Sequence, residues 1–76
     1  MAVVKMPELG EEIASAVVSH FYVNVGEQVN KDDDLLELTT DKATFNVSAA
    51  AAGTVKKILV KKGQEVKIGE DLAVIE

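Results

Sequence analysis

The chain has 76 residues, 47% of them hydrophobic, no cysteine, and a net charge of −5 from 13 acidic residues against eight lysines, with no arginine. This length fits one small domain, and without disulfides or thiolate metal ligands its fold must rest on apolar packing. The acidic balance argues against nucleic-acid binding, and no apolar run is long enough to span a membrane.

The abundance of valine and other β-branched residues predicts an all-β fold. In chain order we expect strands at 3–6, 16–25, 28–30, 35–39, 43–47, 54–60, 65–67 and 71–75. Pro7 ends the first strand, because proline has no amide donor. A polar surface loop follows from Glu8 to Ser15. We expect residues 49–53, four alanines and a glycine, to form a close-packed crossover, because so short a run cannot form a stable helix.

An internal repeat relates residues 16–39 to residues 53–76 at an offset of 37. The identical pairs are Val18/Val55, Val23/Val60, Gly26/Gly63, Val29/Val66, Asp34/Asp71 and Leu35/Leu72. A looser match relates 3–7 to 44–48, with about four extra residues after the first copy. Each half supplies about four short strands that cannot cover their own apolar face. Packing the two halves together therefore predicts a two-sheet sandwich with quasi-two-fold symmetry.

The central hairpin, residues 35–47, turns at Asp41 and Lys42, and we expect the Asp41 side chain to bond backbone amides of the turn. The symmetry predicts that Lys42 projects from one end of the molecule and that both termini lie at the other. This is the layout of a tethered module rather than of an enzyme with a cleft. Residues 1–52 carry a net charge of −6 and residues 53–76 one of +1, so a basic partner surface suits the lysine end.

Catalytic and metal-binding patterns are missing from the sequence. His20 is the only histidine, and we expect it to face solvent from a strand. The consecutive aspartates 32–34 lack the alternation and the glycine of a calcium loop. No serine has a nucleophile-elbow pattern, and the glycines do not form a phosphate-binding loop. These observations argue against catalysis or metal binding by this chain alone.

Across nearly its whole length, the sequence resembles the lipoyl domains of dihydrolipoamide acyltransferases from 2-oxo acid dehydrogenase complexes. The resemblance rests on Met6-Pro7-Glu8-Leu9-Gly10-Glu11, Gly26, Val29, Asp33, Leu35, Thr40-Asp41-Lys42-Ala43, Gly53, Val60, Gly63, Val66 and Asp71-Leu72. It implies an all-β fold, a flattened barrel of two four-stranded antiparallel sheets. It also implies one carrier domain at residues 1–76, as the N-terminal part of a longer chain.

The resemblance implies that Lys42 carries lipoic acid in amide linkage, with Asp41 and Ala43 as flanking recognition residues. A lipoate ligase or lipoyl transferase attaches the group. A thiamin-diphosphate-dependent 2-oxo acid dehydrogenase reductively acylates it, an acyltransferase core passes the acyl group to coenzyme A, and an FAD-dependent dihydrolipoamide dehydrogenase reoxidises it. The expected partner-recognition residues are Glu8, Leu9, Gly10, Glu11, Glu12, Thr39 and Thr40. The Asp-Lys-Ala triplet favours the pyruvate complex.

The sequence departs from the family pattern at two positions, with Thr39 where glutamate is common and Asp32 where glycine is common. A biotin carrier domain is an alternative, although its lysine normally lies between two methionines. A glycine-cleavage carrier or an unmodified β-sandwich interaction module are further alternatives. The N-terminus lacks the features of a signal or transit peptide. We therefore expect a bacterial cytoplasmic location, or the mitochondrial matrix if the domain is cut from a processed precursor.

Overall fold

The computed structural model describes residues 2–10 and 12–76, which form eight β-strands. The strands are β1 (Ala2–Lys5), β2 (Ser15–Phe21), β3 (Gln28–Val29), β4 (Asp34–Thr39), β5 (Thr44–Ser48), β6 (Gly53–Ile58), β7 (Glu65–Lys67) and β8 (Asp71–Ile75). The described residues include no helix at all, and hence none long and apolar enough to cross a membrane. The prediction of an all-β fold is confirmed.

The strands form two four-stranded antiparallel sheets. Sheet 1 has the order β1-β8-β6-β3, and sheet 2 has the order β5-β4-β2-β7. Each sheet takes two strands from the first half of the chain and two from the second, because β1 and β3 pair with β8 and β6, and β5 and β7 pair with β4 and β2. The two halves therefore interlock, and the core between the sheets forms only when both are folded.

These crossings shorten two of the predicted strands. The strand expected at 16–25 ends at Phe21, and the strand expected at 54–60 ends at Ile58. After each strand the chain turns toward the other sheet, where Gly26 N donates to Val55 O at 2.8 Å and Gly63 N donates to Val18 O at 2.7 Å. Both glycines have positive φ, 94° and 89°, a conformation that favours glycine. The apolar pattern continues past each strand because the crossing segments also contribute buried valines.

The core is aliphatic, and the described part of the chain buries no polar or charged residue. The largest fully buried side chains are Met6, Leu35, Leu36, Leu38, Leu72, Val18, Val55 and Val66. Alternate residues of a strand point to opposite faces, so each strand sends part of its apolar set inward and its polar residues outward. His20 is exposed on β2, as expected.

The structure shifts the looser part of the repeat by two residues. Val3 pairs with Val74, and Asn46 pairs with Glu37. Since Glu37 and Val74 match at the offset of 37, Val3 and Asn46 are equivalent, which gives β1 and β5 an offset of 43 rather than 41. The first half therefore carries six extra residues after this strand, the difference between the two offsets, and not about four.

The alanine-rich crossover is close-packed only at its two ends. Ala49 is 1% exposed, and a Cβ built on Gly53 would lie 2.7 Å from Glu76 O. Residues 50–52 are exposed, so the prediction of close packing is wrong for them. Ala50 and Ala51 instead line an open hollow beside β1.

Strand pairing defines the two ends of the molecule. The last residue of β4 pairs with Val17, which brings the start of β2 beside the central hairpin. Ile68, just before β8, donates its N–H to the carbonyl of Ala14, just before β2. Strand β8 therefore runs away from the hairpin, and its last residue pairs with the first residue of β1. The hairpin and the loop before β2 share one end, and Ala2 and Glu76 lie at the other.

Candidate functional site: a lysine hairpin

Lys42 lies at the tip of the turn between β4 and β5. Thr40 N donates to Ala43 O at 2.8 Å, which leaves Asp41 and Lys42 as the two tip residues. The Thr40 hydroxyl accepts hydrogen bonds from the backbone N–H groups of Lys42 at 3.3 Å and Ala43 at 3.1 Å. The expectation that the Asp41 side chain fixes the turn is wrong, since Thr40 takes that role. The Lys42 side chain is 74% exposed.

The loop between β1 and β2 lies against this hairpin. Glu12 Oε2 is 3.9 Å from Lys42 Nζ, and both side chains are largely exposed. Such a surface ion pair contributes little to stability, so its value is as a marker of position. The backbone bond from Ile68 to Ala14 anchors the end of the loop. The loop is thus held where an enzyme that approaches Lys42 would meet it.

The predicted recognition residues of this loop differ in their surroundings. Glu8, Gly10 and Glu12 are exposed. Leu9 is partly buried and packs against the core, which makes it an anchor of the loop rather than a free contact residue. Glu11 lies outside the described residues.

The outer surface of sheet 2 carries a hydrogen-bonded network that the sequence analysis did not identify. Thr39 Oγ1 donates to Ser19 Oγ at 2.8 Å, and Ser19 Oγ donates to Glu37 Oε1 at 2.8 Å. The Tyr22 hydroxyl lies 3.4 Å from Glu37 Oε2 and 3.2 Å from Asn46 Oδ1. The network begins at Thr39, at the base of the hairpin. Polar residues at alternate positions of β4 and β5 were the available signal, because such residues share one face of a sheet.

We call part of this surface the Tyr22 face, made up of Ser19, Tyr22, Asp34, Glu37 and Asn46. Asn46 Nδ2 donates to Asp34 Oδ2 at 3.2 Å, which links the second carboxylate to the network. Partial burial and the Glu37 carboxylate raise the pKa of Tyr22 above its usual value of 10.0. Its usual pKa already keeps the phenol protonated over the physiological range, where it can donate its hydrogen bond, and the upward direction of the shift favours that form further.

A shallow hollow of about 510 Å³ lies beside the hairpin on this side of the molecule. Its lining residues are Ser15, Ala16, Val17, Ser19, Thr39, Thr40, Asp41 and Glu65. The described residues contain no cluster of histidine and acidic side chains able to hold a metal ion. Lys42 thus presents a largely exposed amine at the tip of a hydrogen-bonded turn.

Comparison with known proteins agrees with this geometry. A family model for biotin- and lipoyl-attachment domains, described as "Biotin-requiring enzyme", matches residues 2–75. The lipoyl domain of the 2-oxoglutarate dehydrogenase complex from Azotobacter vinelandii superposes with a TM-score of 0.79 at 30% identity, over 100% of this chain and 96% of that one.

Longer proteins match as well. The succinyltransferase component of the 2-oxoglutarate dehydrogenase complex from Rickettsia typhi is 39% identical over 92% of this chain. The lipoamide acyltransferase component of the branched-chain alpha-keto acid dehydrogenase complex from Pseudomonas aeruginosa is 38% identical over 97% of it. The chain spans only 18% and 17% of these relatives. The family match and the full-length structural match show that this chain belongs to the biotinyl/lipoyl attachment family, as a carrier domain of the lipoyl type.

Proposed function

We propose that Lys42 is the lipoyl attachment residue and that the domain carries acyl groups between the enzymes of a 2-oxo acid dehydrogenase complex. The observation that carries this proposal is an exposed lysine at the two-residue tip of the β4–β5 turn, in a chain of the lipoyl-domain family. When bound, the lipoyl group supplies a disulfide that accepts an acyl group and two electrons. The protein supplies its placement and recognition.

The residues around Lys42 have separate tasks in this proposal. Thr40 holds the turn through its hydroxyl, so the lysine stem leaves the tip in a fixed direction. The small side chain of Ala43 leaves the amine accessible. Conversion of the ammonium to an amide removes the positive charge that faces Glu12, so the contact between loop and hairpin weakens once the domain is modified. A carrier tethered in a complex meets its partner sites at high effective concentration.

The first experiment maps the modification. The domain is incubated with a lipoate ligase, and the added mass is located by peptide sequencing. We expect lipoate on Lys42 alone and none on a Lys42→Arg variant. Lys31, exposed in the turn before β4, is the internal control. Lipoate on Lys31, on any other lysine, or on none would contradict the proposal.

A second experiment tests placement against local sequence. A lysine moved to position 43 leaves the two-residue tip, and a lysine moved to position 41 takes the other tip position, from which its side chain starts at a different point of the turn. We expect such variants to lose lipoylation, whereas Asp41→Ala should only slow it. Replacement of Asp41 and Ala43 by methionine should allow partial modification by a biotin ligase. Equal lipoylation of the shifted lysines would show that placement is not what the ligase reads.

We further propose that the loop from Glu8 to Ser15 is a recognition surface for the thiamin-dependent dehydrogenase. Its support is the position of Glu12, 3.9 Å from the attachment lysine, together with the packing of Leu9 that holds the loop to the core. The second half of the repeat folds without this insertion, so the sheets do not require it.

Deletion of four residues from this loop, as residues 10–13, keeps the Leu9 anchor and separates recognition from folding. We expect the variant to fold and to be lipoylated at the parent rate, but to be reductively acylated much more slowly. A Glu12→Gln variant, which keeps the loop length, should show a smaller defect of the same kind. Acylation of both variants at the parent rate would reduce the loop to a connector.

The complex that the domain serves determines which acyl group it carries. The relatives named above belong to 2-oxoglutarate and branched-chain complexes, whereas the preference for pyruvate rests on the Asp-Lys-Ala triplet alone. We infer that the domain serves an acyltransferase of the 2-oxo acid class. Rates of reductive acylation by dehydrogenases for pyruvate, 2-oxoglutarate and branched-chain substrates would identify its complex. The fastest rate with the pyruvate enzyme would support the preference drawn from the Asp-Lys-Ala triplet.

A further inference from the structure

The outer surfaces of the two sheets have the same backbone but opposite chemistry. At the repeat offset of 37, Tyr22 of sheet 2 corresponds to Leu59, and Glu37 corresponds to Val74. Asn46 corresponds to Val3 at the offset of 43. Sheet 1 thus forms the same layer without an aromatic residue, a carboxylate or an amide at these three positions. The fold alone does not require the Tyr22 face.

Sheet 1 has lysines at the places of Ser19 and its neighbour His20, and it keeps a carboxylate, Asp71, at the place of Asp34. Ser19 corresponds to Lys56, and His20 corresponds to Lys57. The two outer surfaces therefore differ in charge, because sheet 1 carries Lys56 and Lys57 and its Asp71 is paired with Lys5. A partner with a basic surface would be attracted to sheet 2 and repelled by these lysines of sheet 1.

The two carboxylates of the Tyr22 face have no cationic partner among the described residues. The ion pairs in that part of the chain join Lys5 to Asp71, Lys42 to Glu12 and Lys56 to Glu76. Asp34 and Glu37 instead accept hydrogen bonds from neutral side chains. Those bonds hold the carboxylate oxygens in place while their negative charge stays uncompensated.

Tyr22 adds an aromatic surface between the carboxylates. It is 42% exposed, and the His20 ring meets it edge-on with ring centroids 4.8 Å apart. A tyrosine ring held by a hydrogen-bonded hydroxyl and a neighbouring ring loses little conformational freedom on binding, and tyrosine is enriched among residues that dominate binding energy. Guanidinium and ammonium groups bind both to aromatic faces and to carboxylates.

We propose that the Tyr22 face docks an arginine- or lysine-bearing surface of the dehydrogenase that acylates the lipoyl group. This inference rests on the proposed function of Lys42. Glu37 lies two residues before Thr39 on the same side of β4, a separation of about 7 Å. Thr39 in turn adjoins the hairpin. A partner that contacts Tyr22 and Glu37 therefore lies beside the hairpin, where a group carried on Lys42 can reach it, and the Ser19–Thr39 bond fixes the two regions relative to each other.

The test compares equivalent substitutions on the two sheets in the lipoylated domain. Tyr22→Ala is matched by Leu59→Ala, since these equivalent residues are 42% and 47% exposed. Glu37→Gln removes one charge from the face, and Lys57→Gln removes one charge from sheet 1. The substrate is each variant after complete lipoylation, verified by mass. The enzyme is the thiamin-dependent dehydrogenase that acylates the parent domain fastest.

We expect Tyr22→Ala to lower kcat/KM for reductive acylation about tenfold, through KM, as for a residue at the centre of an interface. Glu37→Gln should lower it several-fold and should also weaken its dependence on salt, because the charge that attracts the partner is gone. Leu59→Ala and Lys57→Gln should leave kcat/KM within about twofold of the parent, as for residues outside an interface. Thermal unfolding of each variant separates lost binding from lost folding.

Five results would overturn the inference. Equal effects of Tyr22→Ala and Leu59→Ala would assign the loss to general destabilisation. A salt dependence unchanged by Glu37→Gln would remove the electrostatic contact. A defect in lipoylation with acylation at the parent rate would assign the face to the ligase instead. Failure of the parent domain itself to be lipoylated on Lys42 would refute the proposed function and this inference together, whereas parent-like variants would refute the inference alone.

Discussion

The two halves of the molecule repeat each other bond by bond in the backbone. Tyr22 N donates to Leu35 O at 2.9 Å, and the equivalent Leu59 N donates to Leu72 O at 2.8 Å. The side chain of Glu27 caps its turn by accepting from Asn24 N, just as Gln64 accepts from Lys61 N in the second half. The halves differ in the features that they add to this shared backbone. The first carries the loop, the strand that leads into the lysine hairpin, and four of the five residues of the Tyr22 face, whereas the second contributes only β5 with Asn46 to these features.

The comparison shows which residues the fold needs and which it leaves free. Positions that keep the same character in both halves, such as Leu35 and Leu72, build the core. Positions that differ fall into two groups. The first group reflects what the local backbone allows, as in the differences between Ala16 and Gly53 and between Asp32 and Gly69. Tyr22 against its counterpart Leu59 reflects the surface that each sheet presents. The following experiments test these assignments in turn.

The core positions should give the largest effect. Leu35 and Leu72 are 1% and 0% exposed, and replacement of either by alanine should cost about 2–5 kcal/mol of unfolding free energy. Because the halves interlock around one core, we expect the two losses to be similar and unfolding to stay a single transition. Urea denaturation followed by circular dichroism measures both. A second transition in either variant would mean that the halves unfold separately.

Gly53→Ala should be the next most disruptive change. The added Cβ would lie 2.7 Å from Glu76 O, and that backbone is held by hydrogen bonds of 2.7 Å and 2.9 Å to Thr54. We expect a loss of about 1–3 kcal/mol, typical of overpacking. The equivalent position in the first half is Ala16, which is buried and already holds a Cβ. Ala16→Gly is therefore the matched control, and it should destabilise by leaving space rather than by a clash. An unchanged melting temperature for Gly53→Ala would contradict this account of the crossover.

The third pair concerns a left-handed turn. Asp32 has φ of 74°, and the equivalent Gly69 has φ of 87°. Glycine adopts this conformation without the steric cost of a Cβ. We expect Asp32→Gly to raise the unfolding free energy by about 0.5–1 kcal/mol and Gly69→Asp to lower it by a similar amount. A higher denaturant midpoint for Asp32→Gly and a lower one for Gly69→Asp would support the equivalence of the two positions. A loss of stability in both variants would show that the Asp32 side chain contributes more than its backbone costs.

The smallest expected effect is a shift in the titration of Tyr22, the only tyrosine in the chain. Partial burial and the Glu37 carboxylate raise its pKa, because a phenolate beside that carboxylate is disfavoured. Glu37→Gln should lower the pKa toward the usual value of 10.0. Ultraviolet absorbance of the phenolate reads this directly, with Glu65→Gln as a control on the same sheet. If Glu37→Gln left the pKa of Tyr22 unchanged, the Glu37 carboxylate would not be a cause of the raised pKa.

The repeat, the all-β class and the lysine hairpin could be predicted from the sequence for a physical reason. Alternation of apolar and polar residues encodes which face of a strand is buried, and glycines mark turns that need positive φ. Both signals are local, so Val18 and Val55, or Gly26 and Gly63, can be matched by inspection. The family pattern around Lys42 added the chemistry expected at the tip.

Long-range pairing was decided only by the tertiary structure. The exchange of β3 and β7 between sheets follows from hydrogen bonds between residues far apart in sequence, such as Gly26 to Val55. The offset of 43 between β1 and β5 became visible through their partners Val74 and Glu37, because apolar residues at alternate positions allow a register two residues away equally well. The link from Thr39 through Ser19 to Glu37 needs two neighbouring strands in register, which no single stretch of sequence specifies.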